Sequence, residues 1–340
     1  MKTHPSSRLI AVAAVVLYLT QALFAESGVT LVDNIGKQVK SPRFNPIFPR
    51  ALTWSGAMEI MNRQEIRGPW VQTLEESLEA PDLYSVFLNS DVIALYGKPG
   101  ARNMGLLGQH PIEKLDEVMK DFVESYDAAN GARGIIPALY IIYGTCWPGG
   151  DIGILPDATV RKYVEYAAER GWYVFLDHQI GRFTVEAAMQ KLLPYLKYPN
   201  VHLALDPEWR TDKPMKEIGY VTAAELNRAQ ETMQEWMIEH GIPGRRMLVV
   251  HQFKPKMISS RHEVRSDYPL IELIHCADGF GSPSLKKNTY AMNAEAKNIP
   301  LKSFKLFLKP TIEGAGWDQP IMSPQDVFAL NPRPYLIMYQ

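Results

Sequence analysis

The chain of 340 residues contains two cysteines, Cys146 and Cys276. That scarcity excludes a small secreted fold stapled by disulfides, and the spacing excludes a C-x-x-C zinc or redox motif. The two thiols are read as separate and buried, with a single bridge between them, which export would permit, as the alternative. Charge of one sign is also missing: 36 Lys and Arg stand against 37 Asp and Glu, for a formal net charge of −1. No global field favours nucleic acid or an anionic membrane, and no run of Lys and Arg supplies a local one. There is no G-x-G-x-x-G after a strand, no zinc signature and no serine-nucleophile elbow, so neither a dinucleotide nor any other cofactor is implied. No repeat of solenoid length stands out. What is present, 46% hydrophobic and 21% charged residues, suits a soluble globular protein with a substantial core.

The N-terminus stands apart. Lys2 and Arg8 precede residues 9–25 (LIAVAAVVLYLTQALFA), which carry no charge. A basic start, a short apolar run and small residues near its end fit a secretory signal peptide over 1–25, cleaved between Ala25 and Glu26. Leu23 departs from the small residue usual two positions before such a cut. The competing reading is an uncleaved anchor helix, since the run is near the lower limit for spanning a bilayer. Export places the mature protein outside the cell, in the periplasm or in the envelope, with no membrane contact beyond the leader. Residues 26–90 read as an N-terminal extension packed on the main domain, with a helix over 57–79 broken at Gly68-Pro69.

From residue 91 the punctuation is regular. Eight apolar runs follow one another: 92–97, 134–144, 172–179, 201–208, 246–253, 271–281, 303–309 and 334–340. They are apolar at nearly every position, as parallel strands covered on both faces must be. Helical patterns separate them at 112–130, 157–171, 183–196, 222–241, near 255–265, at 284–298 and at 323–330. Thr222 and Ser323 read as N-caps, and Gly241 as a C-terminal stop. Eight strands alternating with helices over about 250 residues predict an α/β fold: a (β/α)8 TIM-like barrel over 91–340, with no final helix. An open doubly wound sheet is the competing architecture.

A barrel carries its chemistry at the C-terminal ends of its strands. In VHLALDPEW (201–209), Asp206 and Glu208 lie two apart. On an extended segment they would project to one side, with Cα atoms roughly 6.6 Å apart. The other strand ends offer Tyr96; Tyr143, followed by Trp147; Asp177, His178 and Gln179, with Arg182 close behind; Trp209; His251 and Gln252; and Asp278. Arg182 and Arg210 are the cations that would turn the acid pair into a structural ion cluster. Clustered carboxylates beside aromatic rings fit glycosidic bond hydrolysis, which needs a proton donor and a second carboxylate. Glu208 is expected as the acid, its pKa raised by Asp206, Asp177 and Trp209, and Asp177 or Asp206 as the second carboxylate. Tyr96, Tyr143, His178, Gln179, Arg182, Trp209, His251, Gln252 and Asp278 are expected to bind a polysaccharide or other glycan. Glu313 is an alternative nucleophile. Two rival readings share these residues: a metal-dependent hydrolase using the acids with His251, and a non-catalytic glycan-binding or envelope protein.

The D-x-E of strand 4 resembles the arrangement in chitinase-like barrel glycosidases, members of the TIM-barrel glycoside hydrolase superfamily. The longer D-x-x-D-x-D-x-E signature is absent, because Leu203 and Ala204 stand where its acids would partly fall. More of the chain, through YGKPG, LDHQIGR (176–182), ALDPEW (204–209), VVHQF (249–253), DGFG (278–281) and the terminal YQ, resembles an uncharacterised group of exported bacterial proteins. That resemblance implies export and one barrel domain over about 91–340, and no particular reaction.

Overall fold

The computed structural model describes residues 74–79, 85–311 and 315–340. The leader, most of the helix expected over 57–79, and Glu313 lie outside them.

Eight parallel strands close on themselves: β1 (Ser90–Gly97), β2 (Gly134–Cys146), β3 (Tyr173–His178), β4 (Val201–Leu205), β5 (Arg246–Gln252), β6 (Ile271–Ala277), β7 (Leu301–Leu306) and β8 (Leu336–Tyr339). Each pairs with the next, and β1 pairs with both β2 and β8, which shuts the ring. The fold is therefore a closed eight-stranded barrel, and the open sheet is ruled out by the β1–β8 pairing, which runs from Val92↔Leu336 to Leu95↔Tyr339. Helices α1 (Leu115–Asp127), α2 (Asp157–Glu169), α3 (Val185–Leu192), α4 (Ala223–Glu239), α5 (Pro283–Ala294) and α6 (Pro324–Phe328) cover the outside. Thr222 caps α4 in a reciprocal box with Glu225, and Ser323 does the same for α6 with Asp326, as their sequence pattern requires. The crossover from β5 to β6 departs from expectation. Instead of a helix near 255–265 it holds two 3-10 turns, Pro255–Met257 and Arg261–Glu263. Between them Ser260 has a left-handed φ of 52°, which no continuous helix accommodates. A two-residue strand in the same loop, Ile258–Ser259, pairs with Val221–Thr222.

Strand alternation divides the apolar residues into two cores. Outward residues such as Ile93, Leu139, Val174, Leu203, Val250 and Phe304 pack under the helices. Inward residues such as Val92, Ile136, Phe175, Ala204, Val249 and Met338 fill the barrel. Each fully buried aliphatic side chain contributes about 1.5–3 kcal/mol. The helix Leu74–Glu79 rests on the barrel through Ser77, whose Oγ accepts from the Gly244 amide at 2.8 Å.

Candidate functional site

The inward positions change character at the C-terminal ends of the strands. On β3 the inward series is Tyr173, Phe175, then Asp177. On β4 it is His202, Ala204, then Asp206. On β5 His251 follows Val249, and on β6 Asp278 follows Cys276. Lys305 takes the inward place on β7, between the outward Phe304 and Leu306. Asp177, Asp206, His251, Asp278 and Lys305 are each at most 4% exposed. Glu208, just beyond, is half-buried.

Hydrogen bonds tie the set together. Tyr96 donates its hydroxyl to Asp177 Oδ2 at 2.9 Å. The other oxygen of that carboxyl, Oδ1, is buried and has no partner. His251 Nδ1 lies 2.7 Å from Asp278 Oδ2, and its Nε2 lies 2.8 Å from the Tyr140 hydroxyl. Lys305 Nζ donates to the same Asp278 oxygen at 3.2 Å and sits 3.8 Å above the Tyr96 ring. The Gly279 amide donates to Asp278 Oδ1 at 2.7 Å.

These contacts separate the four carboxyls electrostatically. Burial opposes ionisation of Asp278, but Lys305, His251 and the Gly279 amide outweigh it and hold its pKa far below the usual range. Burial likewise opposes the His251 imidazolium, yet Cys276, Asp278 and Asp177 raise its pKa well above that of a free histidine. His251 thus bridges Asp278 and Tyr140 through its two ring nitrogens. Lys305 is also raised, burial being outweighed by Asp278, Asp206 and Asp177. The other three acids move the opposite way. Burial raises Asp177, with His251, Lys305 and the Tyr96 hydroxyl pulling it back. Burial raises Asp206 strongly; His251 counters, while Asp177, Glu208 and Asp278 reinforce the rise. Glu208 is pushed up to about 7, first by burial and then by Asp278, against Lys305 and His251. The site thus holds one carboxyl whose pKa is lowered and three whose pKa values are raised, a division typical of acid–base sites.

The D-x-E pair is built differently from the extended segment its sequence suggests. β4 stops at Leu205, and Asp206 caps a 3-10 turn, Pro207–Trp209, with Oδ1 accepting from the Glu208 amide at 3.3 Å. Arg182 pairs with Asp151 at 2.7 Å, and Arg210 pairs with Glu225 at 2.6 Å. Neither arginine neutralises the acid pair.

Of the residues expected to bind substrate, Tyr96, His251 and Asp278 lie inside the cluster, and Trp209 is half-buried in the Glu208 turn. Others are placed elsewhere, Tyr143, His178 and Gln252 by the same alternation and Gln179 because β3 ends at His178. His178 is the outward neighbour of Asp177; its ring packs on Gly144, and Nδ1 accepts from the Ile180 amide. Burial lowers its pKa to about 4. Tyr143 turns to the helix layer and donates to the Lys191 carbonyl. Gln179 accepts from the Cys146 amide. Gln252 bridges Lys254 and Pro255 carbonyls, Arg261 and His275 outside the barrel. Sequence reasoning missed Lys305 and Tyr140. A lysine inside SFKLFL was the available signal for Lys305; Tyr140 lies mid-strand with none.

Aromatic side chains surround the site. Among the described residues, the large aromatics that remain exposed are Trp147, Phe183, Tyr220 and Phe280. Each lies in a loop that follows a barrel strand, after β2, β3, β4 and β6 respectively. No group of three or more His, Cys, Asp and Glu among the described residues is arranged to hold a metal ion. No helix among them is long and apolar enough to cross a membrane.

No family model and no curated protein matches the chain. Solved structures do. A hyperthermophilic endo-beta-1,4-glucanase is 10% identical with a TM-score of 0.41, covering 75% of this chain and 91% of its own. A GH5-4 broad specificity endoglucanase from Clostridum cellulovorans is 14% identical with a TM-score of 0.41, covering 79% and 89%. A Group IV chitinase from Ostrinia furnacalis is 11% identical with a TM-score of 0.39, covering 64% and 66%. At these scores no residue correspondence follows, and the barrel assignment rests on the strand pairing described above.

Proposed function

We propose that the protein is an exported hydrolase that cleaves a glycosidic bond, with Glu208 as the proton donor. The observation that carries this reading is the convergence of four carboxyls on the barrel mouth, with one of them, Glu208, open to an incoming molecule. Its pKa near 7 leaves it partly protonated at neutral pH, as a general acid requires. Exposed aromatic side chains in the surrounding loops suit the apolar faces of sugar rings. The uncharged run over 9–25 supports export.

In this scheme Glu208 gives its proton to the glycosidic oxygen as the bond from that oxygen to the sugar carbon breaks. The positive charge that develops on the sugar ring is met by a second carboxylate. Asp177 suits that task better than Asp206. It has His251, Lys305 and the Tyr96 hydroxyl to favour its anion, and Oδ1 without a partner. Water then adds to the sugar carbon through its oxygen and gives up a proton to the Glu208 carboxylate, which restores the acid. Asp278 is committed to Lys305 and His251 and keeps those two side chains in place.

The test is release of reducing ends from a panel of polysaccharides. Glu208→Gln is expected to lower the rate by about 10²–10⁴-fold, and the wild-type rate to decline as pH rises through about 7. Full activity in Glu208→Gln would remove Glu208 from the mechanism.

A further inference from the structure

We infer that a groove beside the Glu208 turn is a binding subsite for an acidic polysaccharide chain, one bearing carboxylates such as uronic acid residues. The inference rests on the glycosidase reading and deepens it. The groove has a volume of about 990 Å³ and is walled by residues 216–220 from the loop after β4 and 255–260 from the loop after β5. That volume is at the upper end of the range for small-molecule clefts, ample for a stretch of polymer. The short pairing of Val221–Thr222 with Ile258–Ser259 ties the two walls together, so the groove has a fixed width.

It is joined directly to the proposed acid. The Gly219 amide donates to the Glu208 carbonyl at 2.7 Å. A Cβ at Gly219 would fall 2.4 Å from the Arg210 carbonyl oxygen and 2.6 Å from that of Pro207. Only glycine lets this wall approach the turn so closely. The wall of the groove is thus packed against the backbone of the turn that carries Glu208.

Its lining chooses the chemistry. Tyr220 is 54% exposed and offers a ring face. Lys216 and Lys256 line the groove with no carboxylate in salt-bridge range among the described residues, whereas the groove's one acid, Glu217, is already paired with Lys213 at 3.0 Å. Across the flanking segments 212–220 and 254–263, five Lys and Arg face three Asp and Glu, in a chain whose overall charge is −1. Unpaired lysines beside an exposed tyrosine suit a polymer that presents rings and carboxylates in alternation. A neutral glucan would use the ring alone.

The experiment measures binding of polygalacturonate and of a neutral cellulose derivative to the full-length protein carrying Glu208→Gln, which keeps the polymer intact. Polygalacturonate is expected to bind more tightly, with affinity falling as salt rises. The double variant Lys216→Gln/Lys256→Gln should weaken it about five- to tenfold while leaving the neutral polymer unchanged. Tyr220→Ala should weaken both. Equal affinity for the two polymers, or no loss in the double variant, overturns the inference. Equally tight binding of double-stranded DNA would overturn it too, by showing a groove selective for charge and not for sugar. Because the binding arm uses an inactive variant, its failure leaves the proposed hydrolysis standing, and a lack of hydrolysis in the wild type leaves a positive binding result intact.

Discussion

Asp177 and His178 are neighbours in sequence and belong to different environments. Asp177 looks into the barrel and shares the electrostatics of Lys305 and His251; His178 looks out and supports a turn. At this scale Glu208 makes a prediction independent of any substrate. Its folded pKa of about 7 is raised above the ordinary 4.5. Below the ordinary value both folded and unfolded chains hold the proton, and the group is neutral for stability. As pH rises from there to about 7 the unfolded state loses the proton first, so the folded state is progressively penalised; above about 7 the penalty is constant. Glu208→Gln removes it. The variant should match the wild type near pH 4 and exceed it at pH 8 by on the order of 1–2 kcal/mol, after allowing for the partial exposure of the side chain. Urea unfolding at both pH values reads this, and an identical difference at both would show that Glu208 is not perturbed.

At the scale of elements, the ends of β6 and β7 are held together by a buried ion pair that the chemistry does not touch. Lys286, on α5, donates to the carbonyls of Gly279 and Lys305 and lies 3.6 Å from Asp318. Asp318 accepts from the Gly281 and Phe307 amides. This pair fixes the backbones on which Asp278 and Lys305 stand. Lys286→Met leaves Asp318 buried without its cation and should cost about 3 kcal/mol in unfolding free energy. Adding Asp318→Asn should recover part of that loss, because the stranded charge is removed. A single variant as stable as the wild type would show that the amides alone suffice for Asp318.

For the whole molecule the critical seam is where β8 meets β1. Asp91, fully buried at the start of β1, receives both Arg333 nitrogens at 2.6 and 2.7 Å and the Arg133 Nε at 3.0 Å. Arg333 enters β8 and Arg133 enters β2, so one carboxylate joins the three strands that shut the ring. Arg333→Met removes the bidentate partner while Arg133 remains. The expected loss is about 3 kcal/mol, toward the lower end for breaking a buried pair, read by thermal or urea unfolding. No change in stability would mean that the β1–β8 backbone pairing closes the barrel unaided.

The period of eight apolar runs and intervening helical patterns was enough to specify parallel strands covered on both faces, which suits a barrel or an open doubly wound sheet, and the β1–β8 pairing selected the barrel. N-caps such as Thr222 and Ser323 were legible for the same local reason: a hydroxyl placed before a helix has amides to satisfy. Asp177, Asp206, His251 and Asp278 could be placed at strand ends from sequence. Which of the strand-end polar residues face each other could not. Tyr143, His178 and Gln252 lie among the same runs as the clustered residues, and only the inward or outward sense of each strand, set by pairing around the closed ring, separates them. Lys305 was hidden by a strand end read three residues late, since the apolar character of SFKLFLK continues past Leu306, where the ladder stops. The helix expected near 255–265 gave way to Pro255 and to the left-handed backbone at Ser260. The sequence alone determined the alternation of buried strands and covering helices, because hydrophobic periodicity is a local property; the closure of the ring was decided by the β1–β8 pairing. The tertiary structure alone decided the company each carboxyl keeps, because a pKa depends on burial and on charges brought together from distant parts of the chain.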